Sequence, residues 1–223
     1  MNSATSPAGY RLIGVDEAEA RFDAASDLQY PYREFADEQE IRLYEGGLHV
    51  VGNLERDGDG DWSPCNVIVD GDLTVEGDIE WWDSAGGNFL LVTGHVRVRN
   101  VLLSGCPDVV VRGDLTATGG VQGHHGDDGG CLTVKGLVRA RTVISTLYFC
   151  LDFARQPEAL VVGDPYRTTC RVDFTTDELH DIVLPELLDS YDQADEQKIS
   201  EALRAELPVL RPDVLRSSSP FLT

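Results

Sequence analysis

Positive charge is scarce in this chain. Eighteen Lys and Arg stand against 39 Asp and Glu in 223 residues, a formal net charge of −21. That balance excludes nucleic acid and an anionic membrane surface as direct ligands, and it suits a basic protein partner. Long apolar runs are absent too: no stretch approaches the ~18 consecutive apolar residues of a membrane span. The start, MNSATSPAGYRLIG, has no basic region followed by an apolar run, so no secretory signal is read and a cytoplasmic location is expected. Five cysteines (Cys65, Cys106, Cys131, Cys150, Cys170) make an odd number with no CxxC pair, which fits a reduced chain rather than a disulfide framework. GxSxG, the P-loop, HExxH and a GxGxxG between strand and helix are all missing. The expectation is a protein that is not an enzyme and carries no cofactor or metal.

What the chain has in place of motifs is a repeat. LHVVGNL, VIVDGDL, LLVTGHV, VVVRGDL, LTVKGLV and ALVVGDP set Gly52, Gly71, Gly94, Gly113, Gly136 and Gly163 after apolar runs, with gaps of 19, 23, 19, 23 and 27 residues. Val50, Val69, Val92, Val111, Val134 and Val161 stand two residues before these glycines. After the four central ones, Leu73, Val96, Leu115 and Val138 stand at plus two, and Val75, Val98, Ala117 and Ala140 at plus four. Ile79, Leu102, Val121 and Ile144 stand at plus eight. Alternation of period two means strands, and a strand set recurring every ~20 residues means stacked rungs. The reading is a mainly β chain: a parallel β-solenoid of about five rungs, with right-handed winding expected, over residues 46–174. An antiparallel sandwich is the rival; it fits less well because the long interruptions come once per repeat.

Residues 1–45 read as an N-terminal cap, with a short helix in VDEAEARFDAASDL, covering the open end of the stack. Residues 175–223 read as a helical segment and tail that pack on the solenoid's end or flank. Thr175 to Glu178 has capping-box spacing, Pro185 ends that helix, and Ile199, Ala202, Leu203 and Leu207 share one face of the next.

Charge is uneven along the repeat. From Glu55 to Asp83 there are ten acids and one base, Arg56, whereas residues 97–141 hold six bases and four acids. The interruptions 55–66, 80–88, 103–108, 121–131 and 145–150 stack on one side if they share a corner, and loops on a rigid scaffold are where recognition tends to sit. They gather Asp57, Asp59, Asp61, Trp62, Trp81, Trp82, Asp83, His124, His125, Asp127 and Asp128, aromatics beside carboxylates that suit a basic, partly apolar protein surface. VQGHHGDDGGC does not make a metal site: in an extended loop the adjacent His124 and His125 point apart, and a transition-metal site needs three or four convergent ligands. DGDGDW fails the calcium-loop pattern, with Trp62 and Ile68 where Gly and Glu are required. Arg97, Arg99, Arg139 and Arg141 alternate outward and are expected in cross-strand pairs.

The V-x-G-D-L-x-V pattern of Val69 to Val75, and of Val111 to Leu115, resembles the bacterial polymer-forming solenoids of the bactofilin-like group over residues 46–145. This chain has longer loops, a helical C-terminus and higher acidity. The resemblance implies the solenoid and leaves self-association open. A small, acidic, capped solenoid without catalytic motifs is also similar to immunity proteins of interbacterial toxin systems. That likeness implies direct binding of a basic cognate toxin, such as a secreted nuclease effector, and occlusion of its active site. A self-assembling structural protein is the alternative, and a carbohydrate-active β-helix enzyme, which needs a convergent carboxylate pair, is the third reading.

Overall fold

The computed structural model describes residues 9–29, 32, 41–55, 66–83, 88–125 and 130–217. The chain winds into a β-solenoid of about five turns, with three faces per turn. Face 1 stacks β2 (Ile41–Glu45), β5 (Asn66–Asp70), β8 (Phe89–Val92), β11 (Asp108–Val111), β14 (Cys131–Val134) and β16 (Cys150–Phe153). Face 2 stacks β3 (Leu48–Val50), β6 (Leu73–Val75), β9 (Val96–Val98), β12 (Leu115–Ala117) and the start of β15 (Val138–Thr146). Face 3 stacks β4 (Leu54–Glu55), β7 (Ile79–Asp83), β10 (Val101–Gly105), β13 (Gly120–His124), the end of β15, and β17 (Glu158–Gly163). All these pairings are parallel and in register, apart from a shift between Arg139 and Thr142 where β15 meets β17. The inward residues of the three faces, among them Val67, Val69, Leu73, Val75, Ile79, Trp81, Leu90, Val92, Val96 and Val98, form one core. Burial of each such side chain is worth about 1.5–3 kcal/mol.

The corner from face 1 to face 2 is a glycine stack. Gly94 donates to Gly71 O at 2.9 Å, Gly113 to Gly94 O at 2.9 Å and Gly136 to Gly113 O at 3.1 Å. A Cβ on Gly113 would stand 2.5 Å from Gly94 O, closer than backbone can yield. The glycines at the two ends of the sequence series do not belong here. In the first rung the neighbour of Gly71 is Gly47 at φ +94°, while Gly52 receives a hydrogen bond from Gly77 at the next corner. Gly163 ends β17 on face 3, so Val50 and Val161 lie on faces 2 and 3 rather than on face 1. The plus-eight position also divides. Ile79 and Val121 point inward, whereas Leu102 and Ile144 point outward, because Ile79, Val101, Val121 and Val143 are the residues in register.

The corner from face 2 to face 3 carries a polar ladder. Asn53 Oδ1 accepts from Asp78 N at 3.0 Å, Asn100 Nδ2 donates to Asp78 Oδ1 at 2.9 Å, and Asn100 Oδ1 accepts from Gly120 N at 2.9 Å. Arg99 closes on the buried Asp78 carboxylate through Nε at 2.8 Å and Nη2 at 2.7 Å.

Two flanking segments cover two of the three outer sides. β1 (Arg11–Ile13) adds antiparallel to β2 and closes that edge of face 1. α1 (Val15–Phe22) and α2 (Ala24–Asp27) then lie along face 1, where Ala18, Phe22, Ala24 and Leu28 meet Ile41, Leu43, Ile68, Phe89, Leu91 and Val110. The N-terminal helices therefore cover a flank rather than the end of the stack. The C-terminal segment covers face 3. It comprises β18 (Phe174–Thr175), α3 (Leu179–Ile182), α4 (Glu196–Arg204) and α5 (Pro212–Ser217). The capping box between Thr175 and Glu178 forms. In α4, Ile199, Ala202 and Leu203 pack on Leu102, Ile144 and Val162. Leu207 does not join them: α4 stops at Arg204, Glu206 turns to φ 56°, and Leu207 is exposed. The outer side of face 2 has no covering element among the described residues and presents His49, Thr74, Arg97, Thr116 and Arg139. Arg139 pairs with Asp114 and Glu158, and Arg97 with Asp72.

Candidate functional site at the loop corner

The third corner, from face 3 back to face 1, is where the long interruptions fall. The flanking strand ends are Glu55 and Asn66, Asp83 and Phe89, Gly105 and Asp108, His124 and Cys131, and Thr146 and Cys150. Asp83 stands over Gly105, His124 over Thr146, and Phe89, Asp108, Cys131 and Cys150 stack in line, whereas Glu55 aligns with Glu80 and His124 with Ser104. Asp57, Asp59, Asp61, Trp62, Asp127 and Asp128 lie outside the described residues. The other sequence candidates divide sharply. Trp81 is 2% exposed and belongs to the core, while its neighbour Trp82 is 57% exposed. Asp83 is buried; its carboxylate accepts from Asn88 N at 3.2 Å and its carbonyl from Cys106 N at 2.7 Å, so it shapes the corner from inside.

His124 ends β13 on the outward side of face 3. Its Nδ1 lies 2.6 Å from Thr146 Oγ1, and its Nε2 lies 3.2 Å from Glu196 Oε2 at the start of α4. Burial holds its pKa below the usual imidazole range; Glu196 opposes that effect and His125 adds to it. His125 departs from the expected extended backbone. It sits at φ 59°, exposed, with its ring centroid 6.3 Å from that of His124 rather than on the opposite side. No group of three or more His, Cys, Asp or Glu able to hold a metal ion occurs among the described residues.

One outward row thus runs Trp82, Ser104, His124, Thr146 along the solenoid axis. At ~4.8 Å per rung it spans about 14 Å. It ends in a turn that composition did not single out as a site. Leu147 (φ 45°) and Tyr148 (φ 67°) are consecutive non-glycine residues in left-handed conformation, each 53% exposed. Phe149 N donates to Thr146 O at 3.2 Å, the bond of a tight turn. Phe149 itself is a buried plug. Gly123 and Gly130 leave room for its ring, and a Cβ on Gly123 would meet it at 2.3 Å. Left-handed non-glycine residues cost roughly 1–3 kcal/mol each and cluster at functional sites. The Arg167 guanidinium stands 5.5 Å over the Tyr148 ring, and the nearby Tyr166 is 94% exposed. The signal in the sequence was the Leu-Tyr-Phe run inside a three-residue interruption, where polar turn residues are the norm.

Comparison of the chain with protein-family models, with curated proteins and with solved structures returns no match. No helix among the described residues is long and apolar enough to cross a membrane.

Proposed function

We propose that this chain is a non-catalytic binding protein that captures a basic protein partner at the loop corner. The observation that carries the reading is the strained turn at Leu147 and Tyr148, which holds two large apolar side chains in solvent on a buried Phe149 anchor. With Trp82 and Tyr166 it supplies rigid, exposed anchors of the type that dominates interface energetics. Acidity supplies the steering: a net charge of −21 accelerates encounter with a basic surface and selects against anionic ones. An immunity protein that blocks a basic bacterial toxin, a nuclease effector for instance, is the specific form of this proposal, because an acidic, aromatic-studded ridge fits a cleft built for a polyanion.

The test is affinity capture of the tagged chain from its native host, then variants assayed on the captured partner. A single basic partner at equal stoichiometry supports the reading. So does a loss of tenfold or more in affinity on Trp82→Ala with Tyr148→Ala, or on Asp57, Asp59 and Asp61 changed together to Lys, with the melting temperature unchanged. Affinity untouched by both sets removes the loop corner as the site. A second reading, self-assembly, has one observation in its favour. Among the described residues, β3 and β4 each pair on one side only, so faces 2 and 3 end in open edges at the first rung. Filaments that grow with protein concentration would move the assignment there.

A further inference from the structure

β14 and β16 each begin with a cysteine, and Cys131 and Cys150 are in-register neighbours on adjacent parallel strands of face 1. Both occupy the outward position of the pleat, in line with Asp108. Parallel strands lie ~4.8 Å apart, which puts the two Cα atoms inside the ~4.4–6.8 Å window that a disulfide spans. The two side chains differ in access. Cys131 is 1% exposed, with its Sγ 3.7 Å from Thr133 Oγ1, whereas Cys150 is half-buried next to the Leu147–Tyr148 turn. The other described cysteines, Cys106 and Cys170, have no cysteine in register.

We propose that Cys131 and Cys150 are a redox-active dithiol that a hydroperoxide converts reversibly into a disulfide between neighbouring rungs, Cys150 being the sulfur attacked by oxidant and Cys131 the resolving thiol. The electrostatics agree with these roles. The interaction between the two thiols, the largest influence on each, pushes Cys131 up, with burial adding to it, and draws Cys150 down; the Arg167 guanidinium draws Cys150 down further, against burial, Asp152 and Asp108. Cys170 has no thiol neighbour among the described residues, and burial pushes it up to about 11.

In the first step the Cys150 thiolate attacks the peroxide O–O bond. An S–O bond forms and the O–O bond breaks; hydroxide leaves and takes a proton as water, and Cys150 becomes a sulfenic acid while the peroxide is reduced. In the second step Cys131 sulfur attacks Cys150 sulfur. The S–S bond forms, the S–O bond breaks, and the Cys131 proton leaves with the hydroxyl as a second water. Two thiols and one hydrogen peroxide thus give one disulfide and two waters. Cys150 is only half-buried, so the bond is open to an exchanging dithiol and readily reduced. Such lability suits a chain kept in a reducing compartment, where structural disulfides do not persist. This site does not rest on the partner reading.

The test uses the full chain, reduced and then exposed to a few-fold excess of hydrogen peroxide, alkylated and mapped by mass spectrometry. The expected result is a loss of two hydrogens, a cross-link between the tryptic peptides 113–135 and 142–155, and reversal by dithiothreitol. Cys150→Ser abolishes the link and leaves Cys131 unoxidised. Cys131→Ser, or Cys131→Val if the serine does not fold, leaves Cys150 to accumulate added oxygen. Added oxygen on Cys150 of the unaltered protein without a link overturns the proposal, and so does oxidation of all five cysteines at one common rate.

Discussion

Removing Arg99 is expected to damage the solenoid far more than its position on an exposed corner suggests. The Asp78 carboxylate is fully buried and takes two hydrogen bonds from Arg99 and one from Asn100. Arg99→Ala strips the two charge-assisted bonds and leaves a buried anion with one neutral donor. Breaking a buried pair in this way costs about 3–5 kcal/mol. For a chain of this size roughly 2–4 °C of melting temperature goes with each kcal/mol, so a drop of about 6–20 °C in a circular-dichroism melt is expected. Asp78→Ala should cost less, because the Arg99 side chain is one-third exposed and can turn to water. The decisive measurement is the double variant Asp78→Asn with Arg99→Ala. It removes the stranded charge while keeping Asn100 a partner, and it should melt above Arg99→Ala alone. If Arg99→Ala lies within about 1 kcal/mol of the parent, or the double variant is no better than the single, the buried-ion account is wrong.

Gly113→Ala places a Cβ 2.5 Å from Gly94 O, so it should lower the melting temperature well beyond the ordinary glycine-to-alanine effect, whereas Gly9→Ala, with open space around it, should leave it unchanged. The adjacent tryptophans should separate. Trp81→Ala costs about 3–5 kcal/mol of stability, while Trp82→Ala leaves the melt unchanged and weakens partner binding. His124 carries a pH signature. Its folded pKa lies below the value near 6.5 of an unfolded histidine, so the unfolded chain binds that proton first as pH falls. The stability linked to it is complete above about 6.5 and is lost as pH drops toward the folded pKa. His124→Gln should flatten that slope between pH 7 and 5 in a series of melts, and an unchanged slope would show that the imidazole, with Glu196, His125 and Thr146 around it, does not titrate in linkage with folding.

The sequence pattern reported faces 1 and 2 faithfully because one short glycine corner separates them in every central rung. Val69, Leu73 and Val75 keep the same spacing as Val111, Leu115 and Ala117, and each set of three points inward. Face 3 was harder to read because the step from face 2 changes length. It is four residues from Val75 to Ile79 and from Ala117 to Val121, but three from Val98 to Val101 and from Ala140 to Val143. A fixed plus-eight rule therefore picked outward residues in two rungs. Those residues, Leu102 and Ile144, are apolar because the C-terminal helices cover them, a tertiary contact that no local period reveals. The tryptophans were legible in principle: continuing the alternation from Ile79 through Trp81 to Asp83 points all three inward and Trp82 outward. Treating residue 80 as the start of a loop hid that parity. Leu147 and Tyr148 were not legible from composition, since their exposure follows from a left-handed turn whose anchor, Phe149, fits only because Gly123 and Gly130 stand beside it in neighbouring rungs.

The division of labour among the corners is the reason the proposed recognition site is placed at only one of them. At the glycine corner the glycine positions are closed to any side chain by the next rung's backbone, and the neighbouring Asp72, His95 and Asp114 side chains are tied to the adjacent rung. The polar corner is occupied internally by Asn53, Asp78 and Asn100, and Asn100 is tied to Leu203 O at 3.1 Å. The face 3 to face 1 corner varies most in length, from two residues between Gly105 and Asp108 to ten between Glu55 and Asn66, while the stacks on both sides keep their register. The helical segments frame it: α2 sits beside it through Gln29 N on Asp108 Oδ2 at 2.6 Å, and α4 through Glu196 on His124. A side chain presented from such a frame loses little conformational freedom on binding, and preorganisation of that kind converts buried area into affinity. On the proposed function, changes confined to the exposed positions of this corner, such as Trp82, Leu147 and Tyr148, refit the scaffold to a different partner without touching the buried Trp81, Asp83 and Phe149.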